Sequence, residues 1–325
     1  MKLPRRKFLR LAAAAALLPA IARRASAQSY PSRPVRVIVG FAPGGATDIM
    51  GRLMAQWLSE RLGQTFLIEN RAGAGSNVGT EVVVNAAPDG YTLLVATVVN
   101  AINATLYDKL NFNFVRDIAP VAGFHREPFV MVVNPAFPAK TVPEFIAYAK
   151  ANRGKINMAS GGVGSGNHLS GELFKMMTGV DLVHVPYRGA GPGLIDLLGG
   201  QVQVLFATMS SSISYVRDGR LRALGVTTAT RSPVLPEVPA VAESVPGYEA
   251  SFWSGIGAPK NTPAEIVDKL NKEINAALAD PKMKARLADL GSTELPGSPA
   301  DFGRLIVAET ESMGKVVRFC GAKAD

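Results

Sequence analysis

Short apolar runs rich in β-branched residues alternate along most of this chain with segments of helical periodicity. Residues 129–133, Phe-Val-Met-Val-Val, contain no polar side chain, and residues 141–152 place apolar side chains three and four positions apart. Strands that are apolar on both faces need helices on both sides of their sheet, and connecting helices allow successive strands to run parallel. The alternation therefore predicts an α/β fold with mostly parallel sheets.

Two stretches interrupt the alternation, residues 123–128 and residues 231–248, and the second contains four prolines, which favour extended connections. The simplest topology has two lobes joined by two crossings, with a ligand cleft between them. Residues 28–128 and 250–325 are predicted to form lobe 1, and residues 129–249 lobe 2. The predicted strands are 35–39, 65–69, 92–97, 129–133, 156–160, 182–186, 204–207, 223–227 and 252–258. The predicted helices are 48–62, 76–86, 141–152, 166–178, 192–198, 211–218, 263–279, 281–290 and 299–319.

The first 27 residues have the pattern of an export signal. Arg5 and Arg6 precede Phe8 and Leu9, an apolar run follows over residues 11–22, and small residues end the segment at Ala27. The run is too short for a membrane-spanning helix, which needs about 20 residues. We predict cleavage near Ala27 and a periplasmic location. The twin-arginine route is favoured, and an ordinary Sec signal is the alternative.

The basic charge of the chain is concentrated in that segment. Seven of the 35 Lys and Arg residues and none of the 26 acidic residues lie in residues 1–27, so the remainder has a net charge of +2. This balance argues against a nucleic-acid partner. One cysteine, Cys320, cannot form an intramolecular disulfide, and His125, His168 and His184 lack the spacing of metal ligands. No metal or cofactor is expected.

A glycine-rich loop joins the first predicted strand to a helix predicted to start at Asp48. Ligands bind beyond the carboxyl ends of strands in open α/β sheets, and free N–H groups at helix N-termini attract anions. Alternatively, Thr47 or Asp48 simply caps the helix, which is compatible with binding. Asp48 either caps or contacts an amine or hydroxyl group of the ligand. The predicted binding residues here are Phe41, Pro43, Gly44, Gly45, Ala46, Thr47 and Asp48.

A second glycine cluster occupies residues 70–79 and contains a G-x-G spacing. It lacks the dinucleotide fingerprint because its third glycine comes one position late. A left-handed Gly75 followed by Ser76 as a helix cap accounts for most of the pattern. Ser76 stays a candidate for the cleft lining.

A third cluster, residues 159–168, also ends a predicted strand and opens a helix, so it is predicted to hold a carboxylate from the side opposite the first loop. Val163 and Asn167 replace the glycines of a G-x-S-x-G nucleophile motif around Ser165. His168 is more readily explained as a packing residue than as a catalytic one. The predicted binding residues here are Ser160, Gly161, Gly164, Ser165, Gly166 and His168.

Two further strand ends are expected to face the same cleft. Tyr187 and Arg188 follow one predicted strand, and Ala207 and Thr208 end another. Arg188 could pair with a carboxylate through two hydrogen bonds, and an exposed surface position is an equal alternative.

Taken in order along the chain, these motifs resemble the Bug receptors, the substrate-binding proteins of tripartite tricarboxylate transporters. The resemblance implies a type II periplasmic-binding-protein fold that closes on a small carboxylate. One carboxyl group would be held by the loops at residues 41–48 and 160–166, largely through backbone amides and ordered waters. The motifs are Pro43-Gly44-Gly45 with Asp48, Glu69-Asn70-Arg71 with Gly73-Ala74-Gly75, Asp89-Gly90-Tyr91-Thr92, residues 160–166 with His168-Leu169, residues 184–189, and residues 219–224.

The far end of the ligand would face Asp48, the strand end at Ala96 and Thr97, and the region of Ala207 and Thr208. Asp48 would disfavour a second carboxylate close to it, so an amine, amide, hydroxyl or ring at that end stays open. The resemblance also implies membrane components of a transporter as partners, a monomer, and no enzymatic activity. A receptor subunit that feeds a signalling protein is the alternative function, and an exported α/β hydrolase is less favoured because no catalytic constellation is present.

Overall fold

The computed structural model describes residues 30–324, apart from the side chains of residues 319 and 320. The predicted export signal, with its cleavage near Ala27, lies outside the described residues, and so does the side chain of Cys320. All described strands and helices belong to one unit, Arg33–Asp325.

Strands and helices alternate as the sequence predicts, with boundaries shifted by a few residues. The strands are β1 Val35–Val39, β2 Phe66–Asn70, β3 Thr92–Thr97, β4 Ile118–Val133, β5 Asn157–Ser160, β6 Val183–Pro186, β7 Val204–Thr208, β8 Arg222–Val226, β9 Ser251–Pro259 and β10 Thr293–Glu294. The helices are α1 Ala46–Leu62, α2 Asn77–Val84, α3 Val98–Leu106, α4 Phe114–Asp117, α5 Val142–Ala151, α6 Gly166–Thr178, α7 Ala190–Leu198, α8 Met209–Arg217, α9 Ala264–Ala279, α10 Pro281–Asp289 and α11 Pro299–Cys320. Short 3-10 turns lie at Ala74–Ser76 and Val241–Glu243.

Local sequence signals account for many of the helix ends. Helix α11 starts with a capping box between Ser298 and Asp301 and has Pro299 at its first position. Asp280 caps α10 by accepting hydrogen bonds from two backbone amides. Helix α1 ends at Gly63, whose φ of 71° is accessible at little cost only to glycine.

The strands form a mixed sheet in the order β2-β1-β3-β9-β4-β7-β5-β6, and β8 and β10 also pair with β4. The pairs that β1 makes with β2 and β3 are parallel, and so are the pairs that β5 makes with β6 and β7. Strands β4 and β9 run antiparallel to their neighbours. The expectation of mostly parallel sheets therefore holds for the flanking strands. The centre is antiparallel because the chain returns late to insert β9 between β3 and β4.

Strand β4 is 16 residues long and belongs to both halves of the sheet. Its residues from Ile118 to Pro128 pair with β9, and those from Phe129 onward pair with β7 and β8. The interruption predicted at residues 123–128 is thus a continuous strand, although its register with β9 shifts between Gly123 and His125. The polar residues His125, Arg126 and Glu127 obscure the strand in the sequence, although His125 and Glu127 are buried in the folded chain.

The apolar core lies against both faces of this sheet. Helix α1 buries Met50, Met54 and Leu58, and the aromatic side chains of Trp253 and Phe206 are fully buried. Within residues 30–324, no helix has both the length and the apolar character that crossing a bilayer requires. The flanking helices thus cover a buried sheet, and their N-terminal ends come together at one place.

Candidate functional site

The N-terminal ends of five helices meet around a cleft of about 350 Å³, a volume that includes its opening to solvent. Helices α1, α3, α6, α7 and α8 each contribute their N-cap or first-turn residues to its wall. The lining residues are Phe41, Gly45, Ala46, Thr47, Val99, Gly161, Ser165, Gly166, Asn167, Ala190, Thr208 and Phe252.

The first wall is the loop that leads from β1 into α1. Gly44 has a φ of 88°, and Gly45 is the N-cap of α1 without a side-chain cap. Among the described residues, the backbone N–H groups of Ala46 and Thr47 have no hydrogen-bond partner. These two amides point along the helix axis at its N-terminus, where the helix dipole favours negative charge.

Asp48 maintains the shape of this loop and does not line the cleft. Its carboxylate is 6% exposed and accepts hydrogen bonds from Gly44 N, Asn70 Nδ2 and Arg52 Nε, at 3.2, 3.0 and 3.0 Å. Burial raises the pKa of Asp48, but these hydrogen bonds and the Arg52 charge outweigh it, so the net pKa lies below its ordinary value. The N-cap of α1 is Gly45, so the alternative of a cap by Thr47 or Asp48 is wrong; the loop turns at the glycines before either residue.

The second wall is the loop from β5 into α6. Ser165 is the N-cap of α6, and its hydroxyl accepts a hydrogen bond from His168 N. Within the part of the chain that the structure describes, the amides of Gly166 and Asn167 have no partner. The Asn167 side chain donates to Phe206 O at 2.7 Å, which fixes its position in the wall.

Three more helix ends complete the cleft. Ala190 begins α7, whose N-cap Gly189 offers no side-chain cap. Thr208 is the N-cap of α8, and its hydroxyl bonds Ser211 Oγ at 2.7 Å. Val99 lies in the first turn of α3, which Thr97 caps.

The described lining contains no ionisable side chain. Each helix N-terminus is equivalent to roughly half a positive charge, so the five helix ends favour negative charge in the cleft although no cationic side chain is among its described lining. The arrangement favours a small anion bound by backbone amides. Phe41, Val99 and Phe252 give part of the same surface an apolar character.

The two loops that flank the cleft mouth contact each other through their backbones. Ala42 N donates to Arg188 O at 2.9 Å. A Cβ atom on Gly191 would lie only 2.3 Å from Pro43 O. The absence of a side chain at Gly191 allows the start of α7 to lie directly against the loop before α1.

A serine and a histidine also lie close together behind the second loop, with Ser160 Oγ 2.6 Å from His184 Nε2. Such a pair can act as a nucleophile and base in acyl transfer. Ser160 is completely buried, however, and its hydroxyl already accepts a hydrogen bond from Gly162 N. No substrate can reach this oxygen, so the pair has a structural role.

The structure brings eight of the predicted site residues together in the cleft wall: Phe41, Gly45, Ala46, Thr47, Gly161, Ser165, Gly166 and Thr208. Ser76, Tyr187 and Arg188 line a neighbouring depression of about 680 Å³, a volume that includes its opening to solvent, and this depression shares Phe41 and Gly161 with the cleft. The remaining predicted residues lie outside both walls: Pro43, Gly44, Asp48, Ala96, Thr97, Ser160, Gly164, His168 and Ala207.

Sequence reasoning missed four lining residues, Val99, Asn167, Ala190 and Phe252. Ala190 starts α7 two residues before the predicted start at 192, so an exact placement of that start would have indicated it. The start of α6 was predicted at the correct residue, but Asn167 was not recognised as part of the wall, because its position depends on a hydrogen bond to Phe206 O. Val99 lies in α3, which follows β3 without a loop and was not predicted. Phe252 reaches the cleft only because β9 inserts at the sheet centre, and no local pattern indicates that.

Comparisons with known proteins agree on one family. The tripartite tricarboxylate transporter family receptor (TctC) matches residues 50–321. BugT of Bordetella pertussis is 38% identical over 306 residues, which is 93% of this chain and 94% of that protein. The structure of R. palustris Rpa4515 with adipate superposes with a TM-score of 0.88 at 37% identity, covering 90% of this chain and 99% of that one. MatC of Rhodopseudomonas palustris with bound malate superposes with a TM-score of 0.84 at 34% identity, covering 89% and 100%.

Proposed function

This chain belongs to the tripartite tricarboxylate transporter receptor family, and we propose that its ligand is a small carboxylate bound in the cleft between α1 and α6. Members of this family are periplasmic solute-binding receptors and not enzymes. The observation that carries the proposal is the set of backbone amides at Ala46, Thr47, Gly166 and Asn167, which have no partner within residues 30–324 and belong to the wall of a cleft whose described lining has no charged side chains. Amides at helix N-termini are the donors that a carboxylate accepts most readily.

The proposed ligand lies with one carboxylate between the two loops and with its distal end toward Phe252, Val99 and Thr208. The cleft volume of about 350 Å³ includes its opening to solvent, so the site favours a small ligand. Relatives of this chain have been solved with adipate and with malate, both small dicarboxylates. These two acids are therefore the first ligands to test.

We propose that the cleft separates two lobes, residues 28–128 with 250–325 and residues 129–249. The change of pairing partners along β4 between Pro128 and Phe129 supports this division. The backbone contact between Ala42 and Arg188 supports closure of the lobes around a ligand. In this proposal the closed, loaded receptor is what the membrane components of the transporter recognise.

The experiment is thermal denaturation of the purified protein after bound ligand has been removed by unfolding and refolding. Adipate, malate, longer and shorter dicarboxylates, tricarboxylates, aromatic acids, acidic amino acids and nicotinate are added separately. A ligand at about 100 times its Kd stabilises by about 2.7 kcal/mol, a clear shift. Adipamide is the matched control, because it has the shape of adipate without its charge. No shift with any acid, or an equal shift with adipamide, contradicts carboxylate binding.

A gene deletion separates transport from sensing. Loss of uptake of the identified acid in the deletion strain supports the transporter role. Normal uptake in that strain, with a lost transcriptional response to the acid, supports the alternative of a receptor subunit for a signalling protein.

A further inference from the structure

Two histidine rings are stacked beneath the loop at residues 161–165, and neither lines the cleft. The centroids of His168 on α6 and His184 on β6 are 3.9 Å apart, and their planes are tilted by 20°. His168 is 6% exposed. The binding proposal does not use these rings. His168 accepts a hydrogen bond from the backbone of the loop, and His184 contacts Ser160, whose hydroxyl accepts a hydrogen bond from the loop.

His168 accepts a hydrogen bond from the loop. Gly164 N lies 3.1 Å from His168 Nδ1, so Nδ1 must be unprotonated to receive the amide hydrogen. The other ring nitrogen, Nε2, lies 3.6 Å from Glu172 Oε1, and a carboxylate there favours a hydrogen on Nε2. The surroundings thus select one neutral tautomer of His168.

Ser160 and His184 hold the preceding part of the loop. The Ser160 hydroxyl accepts from Gly162 N at 3.1 Å, and His184 Nε2 lies 2.6 Å from the same oxygen. Either ring tautomer of His184 satisfies this contact, because the hydroxyl can donate or accept. Only the bond at His168 requires an unprotonated ring nitrogen.

The loop needs such bonds because its own conformation is costly. Gly162 and Gly164 have φ values of 120° and 74°, and glycine loses more backbone freedom on ordering than any other residue. A Cβ on Gly164 would lie 2.0 Å from Leu106 Cδ2, so the loop also packs closely against α3. The segment leads directly into Ser165 and the free amides of α6. A shift of Gly164 therefore displaces the donors that face the cleft.

We propose that His168 is a positioning residue for the ligand site: its Nδ1 accepts the Gly164 amide and so holds the loop that leads into the free amides of α6. The tautomer with its hydrogen on Nδ1 would direct that N–H at the N–H of Gly164, and two donors repel. This inference rests on the proposed function, since it assumes that the loop is part of a carboxylate site.

The charged groups around His168 are consistent with this role. Glu172 lies on the same helix and accepts from Lys175 at 2.8 Å, and His184 is stacked on the ring. Burial raises the pKa of Glu172, but the hydrogen bonds from His168 and Lys175 outweigh it and bring it to about 2, so Glu172 stays ionised. Burial lowers the pKa of His184 to about 4, so this ring is neutral at neutral pH.

The first test needs no variant and no ligand. The chain contains three histidines, so long-range ¹H–¹⁵N spectra of histidine-labelled protein resolve each ring. At about pH 8 we expect His168 to carry its hydrogen on Nε2 and none on Nδ1. A hydrogen on Nδ1 of His168 at that pH overturns the inference, and this result does not depend on the folding of any variant.

The second test compares two substitutions of His168. His168→Phe keeps the stacked ring and removes the acceptor, whereas His168→Asn places Oδ1 where Nδ1 was and cannot titrate. We expect the Gly164 amide to exchange with solvent roughly tenfold faster in His168→Phe, and within about threefold of the wild-type rate in His168→Asn. Unchanged exchange in His168→Phe overturns the inference even if carboxylates bind. If the exchange rates follow the expectation but no acid binds the wild type, the proposed function fails instead.

The third measurement is the affinity of the wild type, His168→Phe and His168→Asn for adipate at one neutral pH. His168→Phe lacks the acceptor for the Gly164 amide, whereas His168→Asn retains one, so the comparison isolates that hydrogen bond. We expect His168→Phe to bind adipate roughly tenfold more weakly than the wild type, and His168→Asn to stay within about threefold of it. Equal affinities of His168→Phe and His168→Asn overturn the inference.

Discussion

In the proposed site, backbone amides rather than charged side chains bind the carboxylate. Ala46 is the first residue of α1, and its N–H has no partner among the described residues. Proline is well tolerated at the first position of a helix because that N–H is not used within the helix. The preceding Gly45, at φ −88° and ψ 169°, already has the extended conformation that a following proline requires. The amide can therefore be deleted with little effect on the helix.

Ala46→Pro is predicted to weaken ligand binding while the fold remains intact. Loss of one hydrogen bond to a charged group costs about 1.5 to 3 kcal/mol, which is roughly a 10- to 100-fold increase in Kd. Isothermal titration with the acid identified by thermal denaturation gives the affinity. Ala264→Pro is the matched control, since Ala264 is the first residue of α9 and lies away from the cleft. Equal affinities for Ala46→Pro and Ala264→Pro would remove the α1 amide from the site.

Asp48 stabilises the first loop through ionic hydrogen bonds, so its effect should depend on pH. Its folded-state pKa lies below the ordinary value, so its stabilising contribution is present at neutral pH and is lost as the pH falls below about 4. Asp48→Asn is predicted to reduce the free energy of unfolding at pH 7 by about 1 to 3 kcal/mol. Urea denaturation at neutral and at acidic pH measures this difference.

The difference between wild type and Asp48→Asn should shrink in acid, because the wild-type carboxylate then becomes protonated. Asp289→Asn, at an exposed position at the end of α10, should show neither effect. A constant difference between wild type and Asp48→Asn at all pH values would mean that the charge of Asp48 is not what stabilises the loop.

At the scale of elements, β4 connects the cleft to the centre of the sheet. Glu127 on β4 is fully buried, and its carboxylate accepts from Ser210 N at 2.6 Å and from Ser210 Oγ at 2.8 Å. Ser210 lies in the first turn of α8, whose N-cap Thr208 lines the cleft. Glu127 therefore fixes one helix N-terminus of the site from the strand that passes between the two halves of the sheet.

Burial raises the pKa of Glu127 to about 8, against the lowering effect of the Ser210 hydrogen bonds. The unfolded chain ionises this group near pH 4.5, whereas the folded chain keeps it protonated up to about pH 8. Folding therefore retains a proton over that range, and the free energy of unfolding falls as the pH rises. The loss is at most about 1.4 kcal/mol per pH unit.

Glu127→Gln is predicted to lack this loss between about pH 4.5 and pH 8, because glutamine keeps the shape of the side chain without a titrating group. Urea denaturation across the range measures the slope for each protein. Glu311→Gln, at an exposed position on α11, should retain the wild-type slope. Identical slopes for wild type and Glu127→Gln would mean that Glu127 titrates alike in the folded and unfolded chains.

The same strand shows what the sequence could and could not predict. β1 and β3 were predicted to the residue because apolar β-branched runs have few alternatives. The extent of β4 was not predicted, because Gly123, His125 and Glu127 have the sequence pattern of a loop. Their pairing with β9 exists only in the folded chain. The glycine loops were placed correctly at helix N-termini. Which atoms line the cleft was only partly predictable, since the role of Asp48 depends on Asn70, a partner 22 residues away.

At the scale of the whole molecule, two segments connect the halves of the sheet: β4 at Phe129, and the chain between Thr227 and Ala250. The two connections lie side by side. Phe129 N donates to Thr227 Oγ1 at 2.8 Å, and Thr227 Oγ1 in turn donates to Ala250 O at 2.8 Å. One threonine thus joins β4 to the segment that returns to β9. In the proposed two-lobe arrangement, rotation about these connections would open the cleft.

Gly191→Ala is predicted to prevent that closure. A Cβ at this position would lie 2.3 Å from Pro43 O, a contact that only a movement of the loops can relieve. The backbone at Gly191 is helical, so alanine is compatible with α7 itself. We expect wild-type protein to become more compact in small-angle X-ray scattering when its ligand is added, and Gly191→Ala to stay in the open form with roughly tenfold weaker binding.

Gly199→Ala is the control for this comparison, since the residue caps the other end of α7 and a Cβ there would come no closer than an ordinary 3.6 Å, to Ile195 O. It should compact with ligand as the wild type does. Equal compaction of Gly191→Ala and Gly199→Ala would show that the loops before α1 and α7 need not meet when the ligand binds. The cleft would then be a fixed site with a permanent opening, and release of the ligand to a membrane partner would require no change in the relation of the two lobes.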